Sequence, residues 1–326
     1  MKKIICAILS LLMLVSLTAC GSQAQTPTGH PENYKVAIVQ QLDHSSLDEI
    51  RNATEQQLKA LASEACVGIT IQTFNGQNDA SVLNQIGAQL VADNYDMIIP
   101  IATTAAQCMV TAADGTNIPI VYAAVSDPET AGLTGLDTVT GVSDALNTAF
   151  ILDMMLTVQP QIKTVGLLYS NSEPNSETPI AQAKEYLAAK GIAYIEKTGN
   201  TAGEVISAAS ALVGQCDAVF TPTDNAVMNA EASVAEILGD AGIPHYTGAD
   251  SFVTAGAFAT CGVNYTELGT KAADMAFDIL MGGEIGPFKV MDGGIITVNT
   301  ETAAKLNLTY DAFSQMANTV VEVTTG

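Results

Sequence analysis

Residues 95–104 read YDMIIPIATT, and residues 216–225 read CDAVFTPTDN. Each stretch places an aspartate ahead of a short apolar run and closes on threonines. A run of that length, bounded by polar residues on both sides, has the make-up of a buried parallel strand. The repetition extends outward. The helical pattern at 47–58 follows the strand AIVQ and a polar loop, just as the pattern at 177–187 follows GLLY and a polar loop. IPIVY at 118–122, running on to Thr130-Ala131-Gly132, is matched by IPHYT at 243–247, running on to Thr254-Ala255-Gly256. Two similar halves are implied.

Further strands are expected at 35–40, 67–73, 97–101 and 119–123 in the first half, and at 164–169, 192–196, 218–221 and 244–247 in the second. Helices are expected at 47–65, 80–92, 147–158, 176–190, 204–213 and 225–238, with a late helix at 265–281 and a late strand at 295–299. Strand–helix alternation of this kind is α/β, with parallel sheets covered by helices. The fold class is therefore two similar lobes, each an open parallel sheet flanked by helices, with a ligand cleft between them. In such sheets ligands gather at the carboxyl ends of the strands. The loops that matter are then 41–46, 102–107 and 124–127 in one lobe, and 170–176, 222–225 and 248–251 in the other.

The chain opens Met1-Lys2-Lys3, continues with an apolar run to Leu17, and reaches Leu17-Thr18-Ala19-Cys20-Gly21. The run is short for a membrane span and ends on small residues before a cysteine, the pattern of an export signal cleaved ahead of Cys20. Residues 1–19 are expected to be a signal peptide. Cys20 is the expected lipidation site that ties the protein to the membrane, and 20–33 a flexible tether. With 12 basic residues against 34 acidic ones, a net charge of −22, the chain offers nothing to neutralise phosphates, which excludes nucleic acid as a partner. Cys66, Cys108, Cys216 and Cys261 form no CxxC pair, and none has a histidine at ligand spacing, so no metal or other cofactor is expected. Whether they form disulfides stays open.

The cleft loops resemble a known family, the ABC-transporter substrate-binding proteins of the tryptophan/tyrosine type. The likeness runs from about Tyr34 to Leu308 and is carried by QQLDHSSLD (40–48), ATTAAQ (102–107), AVSDPETAGL (124–133), TGVSD (140–144), YSNSEPNS (169–176), DAVFTPTDN (217–225) and NYTELG (264–269). The resemblance implies a periplasmic-binding-protein type I fold with crossovers between the lobes. The expected division is 34–143 plus about 267–285 for the first lobe, and 144–266 plus about 286–326 for the second. It implies a small solute as ligand, an aromatic or other apolar amino acid, and an ABC permease with its ATPase as partners of a monomeric, extracytoplasmic, lipid-anchored carrier. The sequence departs from the family at Ser45 and Thr104, where proline is usual.

The expected ligand-binding residues follow from these loops. Gln41, His44 and Ser46 lie in the first. Thr103, Thr104 and Gln107 open a helix whose free N–H groups favour an anion such as a carboxylate, although a threonine there also serves as an ordinary cap. Ser126 and Asp127 follow the fourth strand. Glu173, Asn175 and Ser176 occupy the equivalent loop of the second lobe. Asp127, Asp224 and Asp250 each offer a carboxylate to an ammonium group, with helix-capping or turn roles as the alternative for Asp224 and Asp127. Asn225 adjoins Asp224. Phe252 and Tyr265 are wall candidates. The run Asp43-His44-Ser45-Ser46 superficially suggests a hydrolase, but neighbours in sequence do not adopt triad geometry and no GxSxG elbow is present, so no catalytic residue is expected. A ligand-sensing ectodomain of the same fold, or an extracellular enzyme, are the competing readings.

Overall fold

The computed structural model describes residues 33–326. The expected signal peptide, the lipidation site Cys20 and the tether, with His30, lie outside the described residues, apart from Asn33, which begins the first strand.

The chain builds two sheets. The first contains β1 (Asn33–Gln40), β2 (Gly68–Asn75), β3 (Met97–Ile101), β4 (Ile120–Ala123), β5 (Val139–Ser143) and β11 (Lys289–Val290), in the order β11-β5-β4-β3-β1-β2. The second contains β6 (Thr164–Tyr169), β7 (Ala193–Thr198), β8 (Ala218–Thr221), β9 (His245–Thr247), β10 (Ala259–Gly262), β12 (Ile295–Asn299) and β13 (Thr319–Val323), in the order β13-β12-β10-β9-β8-β6-β7. All pairings are parallel except β10 with β12. The core of each sheet therefore follows one plan, β2-β1-β3-β4-β5 and β7-β6-β8-β9-β10. The internal echo in the sequence is this shared topology. Its switch points lie between β1 and β3 and between β6 and β8, where an α/β crevice opens.

Helices cover the sheets: α1 (Ser45–Glu64), α2 (Ala80–Ala92), α3 (Thr103–Ala112), α4 (Thr148–Val158), α5 (Glu177–Lys190), α6 (Ala202–Leu212), α7 (Asn225–Met228), α8 (Glu231–Asp240), α9 (Asp250–Thr254), α10 (Tyr265–Leu280), α11 (Thr300–Leu306) and α12 (Phe313–Met316). A 3₁₀ turn at Pro174–Ser176 leads into α5. The helix expected over 225–238 divides into α7 and α8 around Asn229 and Ala230.

The chain passes between the sheets after β5, after β10 and after β11. The second crossing carries α10 back onto α1 and the first sheet. Its buried stripe, Leu268, Ala272, Ala273, Ala276 and Leu280, has helical spacing, and each fully buried leucine contributes roughly 2 kcal/mol. Gly269 lets the two helices touch: a Cβ there would stand 2.5 Å from the Ile50 carbonyl oxygen, and Thr54 Oγ1 donates to the Gly269 carbonyl at 3.1 Å. The return to the second sheet comes after Val290 and not near residue 286, because Lys289 and Val290 pair with Val142 and Ser143 of β5.

Cys66, Cys108, Cys216 and Cys261 are all free thiols. Burial pushes the Cys216 and Cys261 thiols up to about 11, which keeps them protonated and unreactive. Among the described residues no helix is long and apolar enough to cross a membrane.

Candidate ligand site

The carboxyl ends of β1, β3, β4, β6 and β8 face one another across the gap between the sheets, and their loops enclose a cavity. Of the residues expected to bind ligand, His44, Ser46, Thr103, Ser126, Asn175, Asp224, Asn225, Phe252 and Tyr265 line it. Leu47, Ala102, Ala124, Asp144, Thr223, Met228, Ala249 and Ser251 line it as well. Gln41, Thr104, Gln107, Asp127, Glu173, Ser176 and Asp250 do not reach the lining, and each has another place described below.

On the first-lobe wall, α3 begins at the cavity. Its N-cap, Ala102, has φ 79° and ψ 161°, a region of backbone space that is essentially reserved for glycine. The strained turn sets the start of α3 at the cavity wall, and no side chain caps its first N–H groups. The hydroxyls of Thr103 and Thr104 are buried without a hydrogen-bond partner. Gln107, one turn further on, donates to the Ala131 carbonyl at 3.1 Å and secures the loop after β4.

Asp144 follows β5 at the first crossing between sheets. It is buried, and its Oδ1 accepts from Ser126 Oγ at 3.0 Å. Burial raises its carboxyl above the usual range. No lysine or arginine pairs with it among the described residues, so a ligand ammonium would supply the missing countercharge.

The second-lobe wall is organised from within. Asp224 is fully buried. Its carboxylate accepts from Ser170 N at 2.7 Å, Ser176 Oγ at 2.7 Å and Val227 N at 2.9 Å. It caps α7 and fastens two loops together, the structural alternative the sequence had left open. Asn175 Nδ2 donates to the Thr223 carbonyl, while Asn175 Oδ1 and Ser251 Oγ have no partner. Apolar surface comes from Met228, Ala249 and Phe252 of this lobe, and from Leu47 and Tyr265 opposite.

Several bonds join the lobes. Gln41 Nε2 donates to Glu173 Oε1 at 3.0 Å, and His44 Nε2 lies 3.0 Å from Asn225 Oδ1. Ser126 Oγ meets Thr223 Oγ1 at 3.1 Å, and Thr178 Oγ1 donates to Asp127 Oδ2 at 2.7 Å. A longer contact, 3.5 Å, connects Ser46 Oγ with Asp250. Burial lowers the His44 imidazole, favouring its neutral form. Because Nε2 is engaged with Asn225, His44 is not poised over a serine of its own loop. The enclosed space is about 30 Å³, an order of magnitude below pockets that hold small molecules. Loading therefore requires the lobes to part, and the crossings provide the hinge. A larger hollow of about 640 Å³ lies against those crossings, lined in part by Asn147, Val263 and Gly294, and shares Asp144 and Tyr265 with the cleft. It lacks the converging loop ends of both switch points, so the smaller, enclosed space is the better ligand site.

Asp144 is not among the residues expected from the sequence, because β5, VTGVS, is short, polar in part and centred on a glycine, so no strand end is marked in front of that carboxylate.

Residues 35–321 match the family model described as ABC transporter substrate binding protein. A relative from Clostridioides difficile (strain R20291), named tyrosine-binding protein, is 32% identical over 322 residues, covering 94% of this chain and 93% of that one. Among solved structures, a domain from Streptococcus pneumonia in complex with L-Trp superposes with a TM-score of 0.82 at 28% identity, covering 89% of this chain and all of that one. A ligand-free, open structure of a substrate-binding protein with adhesive properties from Clostridium difficile gives 0.67 at 31% identity, covering 90% of this chain and 100% of that one. The slightly more similar sequence gives the poorer superposition.

Proposed function

The chain belongs to the family of ABC transporter substrate-binding proteins, and from that premise we propose that its solute is an amino acid with an aromatic side chain. One observation carries the reading. A strained, uncapped helix N-terminus and an unpaired buried carboxylate, Asp144, converge on one cavity enclosed between two hinged lobes. A zwitterion complements that pair. Its carboxylate takes the first N–H groups of α3 and the Thr103 hydroxyl, and its ammonium takes Asp144. Leu47, Met228, Phe252 and Tyr265 receive the side chain, where an aromatic ring buries the most apolar area. The L-Trp complex and the tyrosine-binding relative support that side-chain class.

The binding cycle follows from the geometry. The open form exposes both walls. The zwitterion adds contacts to each, and these are complete only when the lobes meet, so ligand shifts the balance toward closure. The closed form is the one the permease and its ATPase receive. We extend the proposal to the export signal and the lipid on Cys20, which would hold a monomeric carrier at the outer face of the membrane, and to a role without catalysis.

The protein contains no tryptophan, so bound L-tryptophan would be the only indole present. Titration with L-tryptophan is expected to shift its emission to shorter wavelength and to saturate, with L-tyrosine and L-phenylalanine competing. Unchanged emission, together with thermal unfolding that none of the three amino acids moves, would remove the aromatic assignment.

A further inference from the structure

Beside the cavity, a line of hydrogen bonds crosses from the first lobe to the second and back. Gln41 Nε2 donates to Asn78 Oδ1 at 2.8 Å as well as to Glu173 Oε1. Glu173 Oε2 accepts from Asn225 Nδ2 at 2.9 Å, and Asn225 Oδ1 contacts His44. Glu173 is thus held between an amide of each lobe, and is only 3% exposed. When the lobes part, its bond to Gln41 breaks and the carboxyl meets water.

The surroundings supply no countercharge. No ion pair involving Glu173 occurs among the described residues. The nearest carboxyl is Asp224, which burial also raises, although Ser170, Ser176 and Val227 donate to it. In the groove on the second lobe that Glu173 borders, Tyr169, Glu177 and Lys184 also face it, but Lys184 and the Tyr169 hydroxyl are both engaged by Glu196. From the first lobe come His44, held neutral by burial, and Asp79, which caps α2 beside Asn78. Asp43 and Asp48 are paired with Arg51. Helix α3, packed on the 174–176 turn, carries only Cys108 as a titratable group. A carboxylate so placed pays desolvation and like-charge repulsion together. The neutral acid has an acceptor at hand, because Gln41 Oε1 is buried without a partner and turning the Gln41 and Asn78 amides together presents it to Glu173 while Asn78 donates to it.

We propose that Glu173 is a positioning residue that enters the closed state as the neutral acid, so that shutting the lobes over a ligand takes up one proton. The inference rests on the reading that this cleft binds solute by closure. Burial, and after it the charge of Asp224, pushes the Glu173 carboxyl up to about 8 in the shut form. In the parted form water reaches the carboxyl and brings it back down toward the ordinary glutamate range, with Asp224 of the same lobe still beside it. Between the two conditions the shut form holds the extra proton. Closure is therefore favoured as pH falls, and weakened as pH rises through the window.

The test is the affinity for L-tyrosine at pH 5.5, 7.0 and 8.5, measured for the wild type and for Glu173→Gln, an uncharged near-isostere. The wild type is expected to lose affinity by about tenfold or more across the range, and Glu173→Gln to lose that dependence. Titration of the ligand or of any other group would persist in both proteins. A wild-type profile that is flat, or one that the variant reproduces, overturns the proposal while leaving the amino acid assignment intact. If L-tyrosine binds neither protein, that assignment fails and thermal unfolding without ligand decides. The advantage of Glu173→Gln over the wild type should widen from pH 5.5 to 8.5, and a constant gap would overturn the proposal.

Discussion

The two walls of the cleft descend from the same sheet order, yet they use their polar groups in opposite ways. On the first-lobe wall the α3 N-terminus is uncapped and the Thr103 and Thr104 hydroxyls have no protein partner. On the second-lobe wall Asp224 is consumed by Ser170, Ser176 and Val227, so that the loops after β6 and β8 are tied into one piece. Equivalent topology does not assign equivalent roles. The first lobe, with Asp144 at the hinge, keeps hydrogen-bonding capacity in reserve for a ligand. The second commits its carboxylate to its own shape and leaves only Asn175 Oδ1 and Ser251 Oγ without a partner.

The largest effect expected from this contrast is at Asp144. Asp144→Asn removes the only carboxylate of the cavity lining that lacks a full set of protein donors, and should weaken amino acid binding by about a hundredfold, roughly 3 kcal/mol. Calorimetric affinities within threefold of wild type, roughly 0.6 kcal/mol by the tenfold-per-1.4 kcal/mol rule, would take Asp144 out of the site. Asp224→Ala should instead appear as lost stability, about 2 kcal/mol in denaturant unfolding, because three donors are left unsatisfied in a buried loop. Its affinity loss should be only partly restored by Asp224→Asn, which keeps the cap on Val227 N but puts an NH2 group where Oδ2 accepts from Ser170 N. If Asp224→Ala unfolds like the wild type but no longer binds, the carboxylate meets the ligand directly and the contrast between the walls fails.

Thr103→Val sharpens the same point in the other direction. Its hydroxyl has no protein partner, so stability should stay level or rise slightly while affinity drops by about tenfold. A loss of stability without a loss of affinity would mean the hydroxyl serves the fold. The smallest effect is expected at Ala102. Glycine there relieves a backbone strain of about 1 kcal/mol, and Ala102→Gly should raise the unfolding midpoint accordingly. A lowered midpoint would show that the strain is compensated by Ala102's methyl packing.

Much of the architecture was legible because strand and helix patterns repeat in both halves, and because parallel strands buried on both faces are almost continuously apolar. The strands that escaped were of another kind. β5 and β10, VTGVS and ATCG, are short, built of small residues and punctuated by glycine, and only their neighbours in the sheet make them strands. β11 is two residues long, and β13, TVVEV, is a β-branched edge strand at the end of the chain that pairs only with β12. The site was legible down to its loops, since strand ends can be located in sequence. Which side chain faces the cavity was not. Asp127 and Asp224 follow strand ends as Asp144 does, but local donors, Thr130 and Thr178 for Asp127, decide that the first two serve the protein. That choice depends on contacts between segments tens of residues apart.

The central claim is that the cleft closes on both charged ends of an amino acid, and calorimetry on three related compounds tests it most directly. L-tyrosine has both groups, tyramine lacks the carboxylate, and 3-(4-hydroxyphenyl)propionate lacks the ammonium. The account predicts micromolar or tighter binding of L-tyrosine, about −8 kcal/mol or better, with each truncated analogue weaker by a hundredfold or more. Equal binding of all three would contradict it, because the ring would then be recognised without the helix N-terminus and Asp144.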